Sequence, residues 1–209
     1  MKIAIWNPTS FVGSNFCNYF MLNPEHELVL FIPQEVGPSE LRLIAGPLSA
    51  KMRSSLQITE ARHYALDTDL RRLTLEEVDI VLCFDVLPKQ FKTLKNIIYI
   101  GKDYTETGSS RAFIYSNAFG PRQNKSDAIP AFLFESKTLD IKNAIYIKEM
   151  YDNFEQFLSS SSKTYVVNED PVTTEDFVAA LNGKASTKMQ ISIAHTLRWY
   201  NSNAWFDLK

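Results

Sequence analysis

The densest set of chemistry-bearing residues is N-terminal: Asn7, Pro8, Thr9, Ser10, Phe11, Val12 and Gly13 follow a short apolar run and lead into helical spacing. Backbone approaches a phosphate most closely at glycine, yet the 209 residues include only 7 glycines, so such places are few. A second set is Lys102, Asp103 and Tyr104. Asp103 can exchange a proton, but Lys102 and Tyr104 lie two apart on a loop, a poor spacing for a general-base pair. Arg122, after Gly120-Pro121, can meet a phosphate or stand on a surface turn. His26, His63 and His195 are scattered without a second ligand at metal spacing, so no metal centre is expected. Neither G-x-x-x-x-G-K-[ST] nor G-x-S-x-G occurs. Cys17 and Cys83 sit in apolar segments and read as small buried hydrophobes of a reducing cytoplasm.

These residues need elements to hold them. Lys2 to Trp6 reads as a buried strand. Phe11, Val12, Phe16, Cys17, Phe20 and Met21 then share a helical face, until Asn23-Pro24 stops the helix. Glu27 to Ile32 is a second buried strand. That order is a βαβ unit, hence a parallel sheet covered by helices. Residues 33–54 read as loop with a partial helix, His63 to Leu66 as a weak strand, and Leu70 to Glu77 as a short helix. Further strands are Asp79 to Phe84, Asn96 to Ile100 and Arg111 to Ser116. Strand and helix then alternate in short pieces: strands over Ala144 to Ile147 and Thr164 to Val167, helices over Lys148 to Leu158, Thr174 to Leu181 and Met189 to Tyr200. Thr173 or Thr174 caps the helix near Glu175. Trp199, Tyr200 and Trp205 read as packing or interface groups.

A chain of 209 residues makes one domain, or one with a small lobe. Hydrophobic residues at 45% and charged ones at 22% exclude a disordered chain. A net charge of −2 lacks the excess of Lys and Arg that a nucleic-acid binder needs. No run of 18 apolar residues exists to form a membrane helix, and no signal peptide is expected before the first strand. A cytoplasmic protein is the expectation.

The segments IAIWNPTSFVGSNFCNYF, VDIVLCF, NIIYIGKDY, FIYSNAFGPRQ, NAIYIKEMYDNFEQFL, KTYVVNEDPVTTEDFVAAL and HTLRWYNSNAW follow one another over nearly the whole chain. Their order and content resemble the extended short-chain dehydrogenase/reductase family, the NAD-dependent epimerases and dehydratases of nucleotide sugars, and among them the dTDP-glucose 4,6-dehydratases. The resemblance implies an α/β fold: a Rossmann-like, doubly wound parallel sheet with a small truncated C-terminal lobe. It divides the chain at 1–123 and 124–209, packed as one unit. It implies a cofactor loop of Asn7, Thr9, Ser10, Phe11, Val12 and Gly13, with substrate-type residues Asn117 and Arg122. Asp103 stands where the dehydratases carry their acid, with Tyr104 in place of its partner Glu.

The departures from that pattern shape the functional expectation. The family's loop reads G-x-x-G-x-x-G, and here Asn7, Ser10 and Gly13 take the glycine positions. Asn7 tolerates a positive φ. Ser10 puts a side chain where a pyrophosphate would sit, and Pro8 removes an amide. No acidic residue for a ribose follows Ile32 directly. The family's chemistry needs Tyr-x-x-x-Lys on one helix, so that the ammonium lowers the phenol's pKa. None of the 9 tyrosines has a lysine four residues on.

The helix that would carry this pair, and part of the family's dimer, has no room between Gly101 and Arg111, so a loop crossover is expected there, with the following strand in an unusual direction or elsewhere in the sheet. Its loss implies no family-type dimer and an apolar sheet face needing a new cover, from this chain or from a partner. The expectation is a catalytically inactive binding or regulatory module acting through a protein partner, with no cofactor. Its contact surfaces would be that sheet face and the aromatic segment Trp199 to Phe206. The alternatives are an NAD(P)-dependent nucleotide-sugar epimerase or dehydratase, and a passive binder of a nucleotide or nucleotide sugar.

Overall fold

The apolar runs form the strands that a two-sided burial demands. A computed structural model of the chain describes residues 1–32, 56–60, 78–85, 96–102, 111–124, 127–135, 138–141, 143–167 and 172–203, with the backbone alone for Ile32 and 56–60. Strand β1 (Lys2–Trp6) is followed by helix α1 (Phe11–Met21) and by β2 (Glu27–Ile32). Then come β3 (Leu56–Glu60), β4 (Ile80–Phe84), β5 (Ile97–Gly101) and β6 (Arg111–Ile114). The remaining elements are β7 (Ala118–Phe119), α2 (Ala128–Glu135), β8 (Ile145–Tyr146), α3 (Ile147–Ser159), β9 (Thr164–Val166), α4 (Thr174–Leu181) and α5 (Thr187–Ser202).

The main sheet has the order β3-β2-β1-β4-β5-β6-β9, and every pair in it is parallel. This is the expected doubly wound α/β fold. Strand order reverses between β1 and β4, the first strand lying beside the fourth. One face of the sheet is an aromatic core. Phe16 of α1 packs on Phe84 of β4 at 5.4 Å and on Phe154 of α3 at 5.2 Å, and Phe113 of β6 meets Phe154 at 5.4 Å. Such ring pairs contribute about 0.5–1.5 kcal/mol each beyond their area burial.

On the opposite face Ala4, Val29, Phe31, Val81, Cys83 and Ile97 form a second cluster, with Trp6 and Val78 packed against it. Tyr99 and Ala112 on that face are also buried. Among the described residues this face is buried, which fits a cover drawn from the chain, one of the two covers expected for it. Cys17 and Cys83 are buried thiols, as expected, and desolvation pushes the Cys83 thiol well above its ordinary value.

Several boundaries differ from the sequence reading. Strand β3 lies in a segment that carries no clear apolar run, while the weak strand and the helix expected over residues 63–77 fall outside the described residues. Strand β6 ends at Ile114 and not Ser116, and it is an ordinary parallel neighbour of β5. The unusual direction entertained for it does not occur. The reason is geometric. Arg111 pairs with Ile98 and Ile114 with Gly101, so the chain must retreat only three residues along β5. That is about 10 Å, plus one strand spacing of about 5 Å. The residues from Lys102 to Ser110 reach about 30 Å when extended. Residues 103–110, where a loop crossover was expected, lie outside the described residues.

The chain divides into two interleaved units, 1–114 with 154–166, and 115–153 with 167–203 and beyond to Lys209. The sequence reading draws a single boundary after Gln123. The interleaving arises because β9 returns to pair with β6. In the second unit β7 pairs with β8 in parallel, and α4 packs with α5. Thr173 caps α4 in a reciprocal box with Asp176, which settles the choice between Thr173 and Thr174. No helix among the described residues is long and apolar enough to cross a membrane.

Candidate functional site

The loop from Asn7 to Gly13 lies at the carboxyl end of β1, where the strand order reverses. In open parallel sheets this is where ligands bind. Asn7 adopts φ 58°, as the sequence reading allows for the first glycine position. Its backbone N–H donates to Phe31 O of β2 at 3.2 Å, and its side-chain Nδ2 donates to Phe84 O of β4 at 3.1 Å. One residue thus ties the ends of three adjacent strands. Asp85, at the end of β4, also takes a positive φ of 60°, and its N–H donates to Ile100 O at 2.8 Å. Two non-glycine residues in the left-handed region therefore flank the crevice. Backbone strain of this kind gathers at ligand sites. Asp85 carried no signal in the sequence, because nothing local marks its φ.

Ser10 is the N-cap of α1, and its Oγ accepts the Gly13 N–H at 3.1 Å. The hydroxyl expected to crowd a pyrophosphate thus holds one of the first-turn amides of α1. Gly13 is required by close approach: a Cβ there would lie 2.6 Å from Asn7 O, 2.9 Å from Ser10 Oγ and 3.2 Å from Pro8 Cα. Val12 is buried, while Thr9 and Phe11 are half-buried. Ser14 Oγ and Asn15 Nδ2 are satisfied inside the helix, both donating to Phe11 O. Asp103, the expected acid, lies outside the described residues.

Asn117 and Arg122 belong to the second unit. Asn117 Nδ2 donates to Asn143 O at 2.9 Å, and Asn117 O accepts from Ile145 N–H at 2.9 Å, so this residue joins the β7 and β8 segments. Arg122 adopts φ 70° and holds its guanidinium 5.7 Å from the Trp199 ring. Tyr200, read as a packing residue, is buried, and its hydroxyl donates to Gln123 O. Trp205 lies outside the described residues.

A pairing the sequence did not reveal joins Tyr146 of β8 to His195 of α5, hydroxyl to Nδ1. Burial and the neighbouring Glu149 push the Tyr146 phenol up to about 12. Burial, then the nearby Lys148, Arg198 and Arg122, hold the His195 imidazole below its ordinary value. No cluster of metal-ligating side chains exists among the described residues, and His63 lies outside them.

No protein-family model matches the sequence, and no curated protein matches it. Solved structures do match by fold. A dTDP-glucose 4,6-dehydratase from Bacillus anthracis, in complex with NAD, superposes with a TM-score of 0.71 at 13% identity, covering 99% of this chain and 98% of that one. A UDP-glucuronic acid 4-epimerase from Bacillus cereus, in complex with UDP-glucuronic acid and NAD, gives 0.67 at 13% identity, covering 97% and 99%. Vestitone reductase from alfalfa gives 0.68 at 10%, covering 98% and 99%. The chain has the fold of the NAD-dependent epimerases and dehydratases, as its ordered segments imply.

Proposed function

We propose that this chain uses an epimerase/dehydratase-type fold for binding and not for turnover, acting on a protein partner as a regulatory module. The observation that carries this reading is chemical. No tyrosine anywhere in the chain has a lysine four residues on, so the pair that exchanges a proton with a sugar hydroxyl has no residues to form it. The crevice at the reversal of strand order supports the same reading. A dinucleotide's pyrophosphate draws on helix N-terminal amides and a glycine-lined turn. Here Ser10 Oγ holds the Gly13 amide, Asn7 spans from β1 to β4, and Pro8 brings no N–H. These residues do not fit a tight NAD(P) site. Exposed Val178 and Leu181 of α4 and Ile191 of α5 offer apolar contact to a protein.

The test pairs a binding and a turnover measurement. Trp6 stacks on Phe31 beside the loop and reports occupancy by fluorescence. No saturable NAD(H) or NADP(H) binding below millimolar concentration is expected. No turnover of UDP- or dTDP-sugars is expected with added NAD, and a stoichiometric partner should be recovered from cytoplasm. Ser10→Gly frees the Gly13 amide and should bring measurable NAD binding.

The second reading is an NAD(P)-dependent nucleotide-sugar epimerase or dehydratase, favoured by the NAD complexes of the matching folds. Micromolar NAD affinity, or turnover abolished by Asp103→Ala, would establish it and overturn the first. A saturable nucleotide or nucleotide sugar without turnover would leave the passive binder.

A further inference from the structure

Asn182-Gly183 is the only Asn-Gly step in the chain, and it closes helix α4. Asn182 is the C-cap, at φ −87° and ψ 8°, and Gly183 follows in the left-handed region at φ 69°. Gly183 N–H donates to Ala180 O at 3.1 Å and Lys184 N–H to Ala179 O at 2.7 Å, the two bonds of a Schellman cap. The Asn182 side chain folds back on the helix, its Nδ2 donating to Val178 O at 2.9 Å. Residues 181–184 are all exposed, and a Cβ on Gly183 would meet nothing within 4 Å. No side chain therefore shields the Gly183 nitrogen, and its chain neighbour is the Cγ of a thermolabile amide. The closed cap keeps the two from reacting, because the nitrogen is bonded to Ala180 O and the amide to Val178 O. Opening the last turn of α4 releases both at once, and exposed helix ends open at low free-energy cost.

We propose that Asn182 is a self-modification site, converted to aspartate and isoaspartate each time the cap opens long enough for Gly183 to attack it. The Gly183 nitrogen gives up its proton to solvent and bonds to Asn182 Cγ. The Cγ–Nδ2 bond breaks, and Nδ2 leaves as ammonia after taking a proton back. Water then opens the succinimide. Attack at Cγ breaks its bond to the Gly183 nitrogen and gives aspartate. Attack at the Asn182 backbone carbonyl carbon breaks the other bond and gives isoaspartate. One water enters, one ammonia leaves, and nothing is oxidised or reduced. Aspartate puts a carboxylate where Nδ2 donated to Val178 O, at the negative end of the helix dipole, and the two repel. Isoaspartate routes the chain through Cγ and lengthens the backbone, so the Gly183 and Lys184 bonds lose their register. Either product loosens the end of α4. The site lies in the second unit and stands or falls apart from the reading above.

The experiment incubates the intact, folded protein in warm, mildly alkaline buffer and maps its peptides by mass spectrometry over time. Isoaspartate is counted separately, by labelling with an isoaspartyl methyltransferase. A mixture of aspartate and isoaspartate is expected at Asn182, formed faster than product at any other asparagine and matched by the ammonia released. Gly183→Ala strains the left-handed cap and so eases its opening, yet its methyl hinders the attacking nitrogen. In that variant the rate at Asn182 should fall to that of the other asparagines. Thr173→Ala removes the capping box at the far end of α4, which is only 8 residues long. It should speed the reaction by about fivefold, the factor that one lost cap gives to helix opening. Product that forms in the urea-unfolded chain but not in the folded one would overturn the proposal. So would aspartate without isoaspartate, which marks direct hydrolysis, or a rate unmoved in a folded Thr173→Ala protein.

Discussion

Gly13→Ala is the sharpest test of how the N-terminal loop is built. In an ordinary helix the change stabilises by about 0.5–1 kcal/mol, because glycine has the greater backbone freedom to lose. Here the new methyl would stand 2.6 Å from Asn7 O and 2.9 Å from Ser10 Oγ. The hydroxyl can rotate away, but the carbonyl belongs to a residue bonded to both Phe31 and Phe84, so relief there must move strand ends. Overpacking of this kind costs about 1–3 kcal/mol. Displacing Ser10 from the Gly13 amide costs about 1 kcal/mol more as a lost cap. Set against the helix gain, the net loss is about 2 kcal/mol. With a urea dependence of about 2 kcal/mol per molar, the unfolding midpoint falls by about 1 M. Equilibrium unfolding by Trp6 emission and by circular dichroism measures it. Ser10→Gly alone should cost only a few tenths of a kcal/mol. In the double variant Ser10→Gly/Gly13→Ala the backbone clash persists, so the midpoint stays low. A midpoint unchanged in Gly13→Ala, or restored in the double variant, would refute the close approach of helix and loop.

Three further outcomes follow from the same geometry. Arg111 donates to Phe157 O, Ser160 O and Ser162 O and lies 4.0 Å over the Phe157 ring. Arg111→Met should destabilise by about 2 kcal/mol after solvent screening, and Arg111→Lys should recover less than half in urea melts, since one ammonium cannot fork to three carbonyls. Asn7→Ala should cost about 1 kcal/mol more than Asn7→Gly by thermal unfolding, because both lose the bond to Phe84 but only alanine pays for the left-handed backbone. His195 has a depressed pKa in the folded chain, so the unfolded chain binds its proton first as pH falls. Stability should therefore hold above about pH 6.5 and decline below it, and denaturation curves of His195→Gln should show a shallower decline.

Lys2–Trp6, Glu27–Ile32, Ile80–Phe84 and Ile97–Gly101 were legible because parallel strands buried on both faces must be nearly continuous apolar runs. Helices α1 and α4 were legible because apolar spacing and, for α4, a capping threonine are local signals, whereas the Ser10 cap of α1 emerged only in the structure. The loop's composition also showed in advance that Asn7 can turn. The missing Tyr-x-x-x-Lys pair needs no structure at all. Strand β3 was not legible: Leu56-Gln57-Ile58-Thr59-Glu60 has too few apolar residues to stand out, and the sheet's order alone identifies it as an outer strand beside β2. The return of β9 to β6 was hidden because strand pairing depends on where the chain goes, not on its local period. The same holds for Arg111 reaching carbonyls 46–51 residues away, and for Tyr146 meeting His195 across 49 residues. Periodicity reports which face of an element is apolar. Which distant side chain lies against that face, and with what charge, is decided only when the elements pack.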